Sequence, residues 1–198
     1  MIFNSIKIHD TFAEAFPMRC SRLIVTADKL DWAKIAANSF TGFATSVIAC
    51  GCEAGIEKIL KPNETPDKRP GVSILIFSMS SKDLAKQVLD RSGQCIMTSP
   101  TSALFSGNHG DKNIKLGNSL RYFGDGFQIS KKISKKRFWR IPVMDGEFVC
   151  EDFAYQMNGI GGGNFLILAN SRINALKAAE VAVTAVSYTH LRAHETLL

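Results

Sequence analysis

The densest concentration of backbone donors lies in Gly159-Ile-Gly161-Gly162-Gly163-Asn164, where unshielded N–H groups and a side-chain amide could cradle an oxyanion, carbonyl or phosphate. A dinucleotide fingerprint needs a strand before the glycines and a helix after them. Here the apolar run Phe165–Ala169 reads as a strand following the glycines, so that assignment fails. The run is then either a flexible crossing or β-bulge, or a cleft lining built from Gly161, Gly162, Gly163 and Asn164. Cys50-Gly51-Cys52 has the look of half a metal site. His9 and His109 are remote, however, and no second close cysteine pair exists, so neither a metal nor a cysteine nucleophile is expected. Glu53 and Glu57 read as a loop or helix start, either solvated and capping or an acid/base pair. Gln94, Thr98, Ser99 and Thr101 surround Pro100 as a polar turn or a polar lining. Asp125 sits in Tyr122-Phe-Gly-Asp-Gly-Phe127, a hairpin turn with aromatic anchors or a ligand contact.

These residues need elements to position them. Ile2–Ile8 reads as a short strand or hairpin and Arg22–Ala27 as a strand. Asp28 reads as an N-cap for a helix to Phe40, with Leu30, Ala33, Ala37 and Phe40 on one face. Ala44–Cys50 reads as the next strand, completing a β-α-β unit. Pro62–Gly71 is turn-rich, Val72–Met79 a buried strand, and Ser81–Arg91 a helix closed by Gly93 with Leu84 and Val88 inward. Cys95–Thr98, Leu120–Phe123, Phe127–Ile129, Arg137–Val143 and Glu147–Cys150 read as further strands, and Ser106–Asn118 as a loop. The pattern is antiparallel α+β rather than a doubly wound sheet.

Composition agrees with a globular protein: 45% of residues are hydrophobic and 21% charged, and the apolar runs are strand-sized. Without a basic-then-apolar leader, and with an odd number of cysteines, the chain reads as a cytoplasmic protein with reduced thiols. Much of the net charge of +6 comes from Lys131-Lys132-Ile-Ser-Lys135-Lys136-Arg137, a solvated hairpin or a docking patch for an acidic tail or subunit. No aromatic residues interleave those charges, which argues against nucleic acid. Shifting the sequence by 143 positions lays Leu23–Asn38 over Leu166–Val181, a faint repeat in which Asp28 meets Ser171 as a second N-cap. Ser187–Leu198 departs from what precedes it and reads as a non-native tail. The division expected is a first α/β lobe over 1–155, the start of a second lobe over 156–186, and the tail over 187–198.

Several stretches carry a resemblance: Asp10-Thr-Phe-Ala-Glu-Ala-Phe16, Thr41-Gly-Phe-Ala-Thr-Ser-Val-Ile48, Glu53-Ala-Gly-Ile56, Glu64-Thr-Pro-Asp-Lys-Arg-Pro-Gly71, Gly93-Gln-Cys95, Phe123-Gly-Asp-Gly126, Ile141-Pro-Val143 and Gly161-Gly-Gly-Asn-Phe165. In this order and spacing they resemble the formylmethanofuran:tetrahydromethanopterin formyltransferases, in particular bacterial forms that work within a formyltransferase/hydrolase complex. The resemblance implies two ferredoxin-like α/β lobes, the second incomplete here, in a homotetramer. It implies formyl transfer between methanofuran and N5 of tetrahydromethanopterin as co-substrates, with no metal. Gln94, Asp125, Gly161, Gly162, Gly163 and Asn164 are the candidate substrate contacts. The acid/base carboxylate is expected outside this sequence, which makes the chain an inactive fragment or, alternatively, a non-catalytic scaffold subunit of such a complex.

Overall fold

The computed structural model describes residues 1–9, 14–144, 146–162 and 166–192, with only backbone over 186–192. A hairpin of β1 (Ile2–Phe3) and β2 (Ile6–Lys7) precedes the long strand β3 (Phe16–Thr26). Helix α1 (Leu30–Thr41) follows, burying Ala33, Ala37 and Phe40 at helical spacing. Its N-cap is Lys29, not Asp28. Asp28 instead accepts from Arg69 Nη1 at 2.9 Å, so an ion pair with a distant loop took the residue that local sequence offered as a cap.

The stretch read as a strand over Ala44–Cys50 divides into β4 (Thr45–Ser46) and a single helical turn, α2 (Val47–Cys50). Ser46 Oγ accepts from Ile48 N at 3.3 Å and turns the chain. The strand that completes the crossover is β5 (Cys52–Leu60), so Glu53 and Glu57 lie within a strand rather than a loop. β6 (Gly71–Ser78) and α3 (Ser81–Arg91) form as expected. Ser80 caps α3 by accepting from Asp83 N at 3.1 Å, and Leu84 and Val88 are its buried residues.

The helix is not closed by Gly93. It continues into a π turn, Ser92–Ile96, where a strand was expected. β7 (Ala103–Ser106), β8 (Lys112–Ile114) and α4 (Leu116–Leu120) follow, partly in place of the expected loop. Leu120–Phe123 is helical, not a strand, because it continues from α4 into a 3-10 turn over Arg121–Gly124. β10 (Lys136–Val143) and β11 (Gly146–Glu151) form near the expected bounds, whereas β9 covers Ile129–Ile133 rather than Phe127–Ile129, so Lys131 and Lys132 lie in a strand paired with β10 and not in a loop. β12 (Ala154–Gly161) carries the first glycines of the run, and α5 (Arg172–Arg192) begins after Ser171, whose Oγ accepts from Asn174 N at 3.3 Å. Residues 166–169 are not a strand, and α5 runs on to residue 192.

Ten of the strands make one sheet: eight in the order β4-β5-β6-β3-β7-β11-β10-β9, with β12 joined to β3 and β8 joined to β12. β3 is its axis: β6 lies along one edge, while β7 and β12 share the other, β7 beside Leu23–Thr26 and β12 beside Phe16–Cys20. β3 and β5 both run antiparallel to β6, so β3-α1-β5 is a split β-α-β unit. Alternation along the strands sends Leu23, Val25, Val72, Ile74 and Ile76 to one face, where they meet Ala37, Phe40, Leu84 and Val88 in the core. The opposite face of β3, β5 and β6 carries Arg22, Glu53, Glu57, Ser73, Leu75 and Phe77.

Candidate functional site

Gln94 is exposed in the π turn, where its carbonyl accepts from Thr98 Oγ1 at 2.7 Å. Asp125 is exposed, takes a left-handed conformation at φ 48, and closes the 3-10 turn by donating its N–H to Tyr122 O at 3.3 Å. These two turns are neighbours: a Cβ on Gly93 would stand 3.4 Å from Leu120 and 3.7 Å from Phe123. Gly161 lies elsewhere, paired with Phe16. The β3–β6 register places that pair beside the start of α3, whereas Gln94 follows its end. An eleven-residue helix separates them by about 16 Å. Gln94 and Asp125 therefore share a corner that Gly161 and Gly162 do not reach. Gly163 and Asn164 lie outside the described residues. At Gly161 a side chain would run into Met18, and Gly162 has φ +88 with Phe16 2.9 Å from its Cβ position, so these two glycines let β12 lie close on β3.

A trough of about 470 Å³ lies on the sheet face that α1 and α3 leave open. Register builds it. Glu53 faces Phe77 and Gly55 faces Leu75 across β5–β6, which sets a carboxylate at the rim of an apolar floor. Gly55 keeps that floor low, since a Cβ there would meet nothing within 4 Å. Ala44 and Thr45 form one wall. A bulge between Ile56 and Lys58 breaks the alternation at Glu57.

Glu57 is held in place from two neighbouring strands. Arg22 donates from Nε and Nη2 to its two carboxylate oxygens, each at 2.7 Å, and Ser73 Oγ reaches Oε2 at 2.7 Å. The Glu57 side chain is 10% exposed and that of Arg22 32%. Burial alone would raise the Glu57 carboxyl. The hydrogen bonds from Arg22 and Ser73, with the charges of Arg22 and Lys58, outweigh it and hold the group below the usual carboxylate range. Glu57 is thus a fixed anion, engaged on both oxygens, and a poor proton shuttle. Arg22 is itself fixed: its N–H donates to Asn108 Oδ1 at 2.9 Å, and its carbonyl accepts from Gly107 N at 2.8 Å. A Cβ at Gly107 would stand 2.7 Å from Arg22 Cγ, so glycine is needed there.

The sequence reading missed the Arg22–Glu57–Ser73 cluster. Its signal was present as charged residues within strand-like runs, but placing the second strand over Ala44–Cys50 put Glu57 in a loop. Among the described residues no three His, Cys, Asp or Glu side chains gather as a metal site would require.

Comparison with known proteins agrees with this architecture. Residues 1–143 match the family model described as formylmethanofuran-tetrahydromethanopterin formyltransferase, and residues 146–192 match the proximal lobe of the same family. The formylmethanofuran–tetrahydromethanopterin formyltransferase of Methylococcus capsulatus is 63% identical over 94% of this chain and 62% of its own length. A component of the formyltransferase/hydrolase complex of Methylorubrum extorquens is 53% identical over 92% of this chain and 60% of its own. The crystal structure of that complex with methylofuran matches with a TM-score of 0.91 at 51% identity, covering 94% of this chain and 63% of that one. The formyltransferase of Methanosarcina barkeri matches at 0.89 and 43% identity with the same coverage. This chain thus spans somewhat less than two thirds of the length of the relatives it matches. It belongs to the formylmethanofuran-tetrahydromethanopterin formyltransferase family.

Proposed function

We propose that this chain serves formyl transfer between the amine nitrogen of methanofuran and N5 of tetrahydromethanopterin, and that its trough seats the pterin. One observation carries the reading: a chain solved in a complex with methylofuran matches this one with a TM-score of 0.91 at 51% identity. The trough supports the finer assignment. A flat bicycle with several N–H donors suits an apolar floor of Leu75 and Phe77 beside a carboxylate rim at Glu53.

In the transfer, the attacking amine bonds to the formyl carbon, the carbonyl becomes an oxyanion, and the C–N bond to the leaving amine breaks as that nitrogen takes a proton. The reaction needs donors at the oxyanion and a group that moves the proton. Glu57 is too firmly held to move one. Glu53, at the rim, is the carboxylate available for contact with the pterin N–H edge. Gln94 and Asp125 form a separate polar corner suited to a more remote part of a substrate.

Calorimetric titration of tetrahydromethanopterin into the purified chain tests the seat. Binding should be measurable and weakened roughly tenfold, about 1.4 kcal/mol, by Glu53→Gln. Absence of binding to a folded chain, or binding indifferent to Glu53 and Phe77, would sink it. A transfer assay with both co-substrates then separates a catalytic chain from one that only holds substrate.

A second reading, docking to hydrolase subunits, is favoured by the β9–β10 hairpin. Lys136 and Arg137 are occupied there by Glu151 and Asp152, whereas Lys131, Lys132 and Lys135 are exposed. Salt-sensitive capture of the other components of the Methylorubrum complex would favour it. Lysines on an edge strand also discourage sheet-to-sheet aggregation, so capture must be lost when these three are neutralised.

A further inference from the structure

The function proposed above assigns no part to Cys50 and Cys52, yet the two thiols stand where the trough wall meets the helix layer. Cys50 ends α2 and is partly exposed, while Cys52 opens β5 and is fully buried. Between them Gly51 has φ 72 and ψ −7. A residue in a helical conformation of either hand brings the Cα atoms on its two sides to about 5.4 Å, whereas an extended one leaves them near about 7 Å. Disulfides span Cα separations of about 4.4–6.8 Å, so the left-handed turn brings the pair within bonding range. The turn is fixed from outside: Ser78 Oγ donates to Gly51 O at 2.9 Å, and a Cβ on Gly51 would stand 2.7 Å from Gln87 Nε2.

The two thiols differ, and both adjoin a single clamp. Cys50 Sγ lies 3.8 Å from Thr45 Oγ1, and hydrogen bonds from the backbone of Thr45 and Ser46 hold its thiol below the ordinary range. Burial pushes the Cys52 thiol up. Its Sγ donates to Gln87 Oε1 at 3.4 Å, and the same oxygen accepts from Arg91 Nε at 3.0 Å. Arg91 in turn donates to the carbonyls of Phe40, Gly42 and Phe43 at 2.6, 2.8 and 3.2 Å. Those residues lead directly into Ala44 and Thr45, the trough wall.

We propose that Cys50 and Cys52 form a reversible thiol–disulfide site, oxidised by exchange with a low-molecular-weight disulfide, whose closure loosens the Arg91-held loop and the trough wall. Cys50 thiolate attacks one sulfur of the small disulfide, forming a mixed disulfide and expelling a thiolate that takes up a proton. Cys52 then loses its proton and attacks Cys50 Sγ, expelling the second small thiol. Two protein thiols become one disulfide, and one small disulfide becomes two thiols. Closure removes the S–H that Gln87 accepts and draws α2 away from Thr45. Only the consequence for a bound substrate rests on the function proposed above.

The test incubates the purified chain with oxidised glutathione, followed by alkylation and peptide mass mapping. Cys50 and Cys52 should lose two hydrogens as a pair, reversibly by dithiothreitol, while Cys20 and Cys150 remain alkylatable after unfolding. Before oxidation, Cys50 should alkylate at least tenfold faster than either of those buried thiols. Cys52→Ser should stop at a stable Cys50–glutathione adduct, and Cys50→Ser, at a partly exposed position, should leave Cys52 unmodified, with any adduct at the partly exposed Cys95 mapped separately. A lasting mixed disulfide at Cys50 in the unmutated chain, or no modification, overturns the site. Hydrogen exchange reads the coupling: amides over 42–46 should exchange several-fold faster once the disulfide closes, and unchanged exchange overturns that half. None of these readouts needs a co-substrate, so failure of the pterin seat and failure of the thiol site are separable.

Discussion

At the residue scale, the Arg22–Glu57 pair governs the open face. Its carboxylate is nearly buried, and the Arg22 backbone is held through its N–H by Asn108 and through its carbonyl by Gly107. Removing Arg22 leaves Glu57 inside with Ser73 as its remaining hydrogen-bond partner, so Arg22→Ala should cost about 2–3 kcal/mol, read from urea denaturation. The pH dependence has a defined sign. The folded-state pKa of Glu57 lies below its unfolded value, so its contribution is fully present above the unfolded carboxylate range and is lost as pH falls through the folded value. Glu57→Gln should therefore flatten the acid side of the stability profile below about pH 4.5 while changing the slope near neutrality little. Equal acid sensitivity in both proteins would contradict this. Sequence marked Glu53 and Glu57 as a possible carboxylate pair, but the partner that matters to Glu57 is Arg22, thirty-five positions earlier. No local pattern encodes that contact; it follows from how β5, β6 and β3 align. At Gln94 and Asp125 the residues were singled out but their surroundings were not: a π turn and a 3-10 turn stand where strands were expected.

At the element scale, legibility followed the strength of local signals. Ser80 with Asp83, and Leu84 with Val88, define α3 because cap and stripe agree. Ser171 marks the start of α5 by the same logic. The apolar run after Gly42 misled because its Ser46 side chain turns the chain into α2, while the true strand carries three charges toward an open face and so lacks clean alternation. The aromatic run at Tyr122-Phe123 misled for a related reason: Arg121 stacks on Tyr122 and on Trp139, 4.8 and 5.0 Å from the ring centres, a tertiary arrangement that favours the helical turn. Close approach of strands sets another requirement. A Cβ at Gly71 would lie 2.7 Å from the Val25 carbonyl oxygen and within 3.1 Å of Thr26 and Thr65 side chains. Backbone cannot yield there without parting β6 from β3, so Gly71→Ala should cost about 2–3 kcal/mol. Gly55→Ala, at a position open to 4 Å, should stay within about 0.5 kcal/mol. Thermal unfolding of the two variants side by side decides it, and equal losses would refute the register-based account.

At the scale of the whole molecule, one face of the sheet is packed and the apolar residues near the end of the described chain are not. Leu166 is 92% exposed, Ile173 75%, Leu176 59% and Val183 67%, and the last three recur along one side of α5. An exposed apolar stripe of this length favours association in water. The net charge of +6 opposes it by mutual repulsion, which salt screens over about 8 Å at physiological ionic strength. The two forces respond to salt in opposite directions. If the α5 stripe drives association, sedimentation velocity should show larger species growing as salt rises from about 0.05 to 0.5 M, and Leu176→Lys with Val183→Lys should return the chain toward monomer. Association that weakens with salt and survives those substitutions would instead assign it to the basic β9–β10 hairpin. That result would move the docking surface to the opposite edge of the sheet and leave the α5 stripe without a part in assembly.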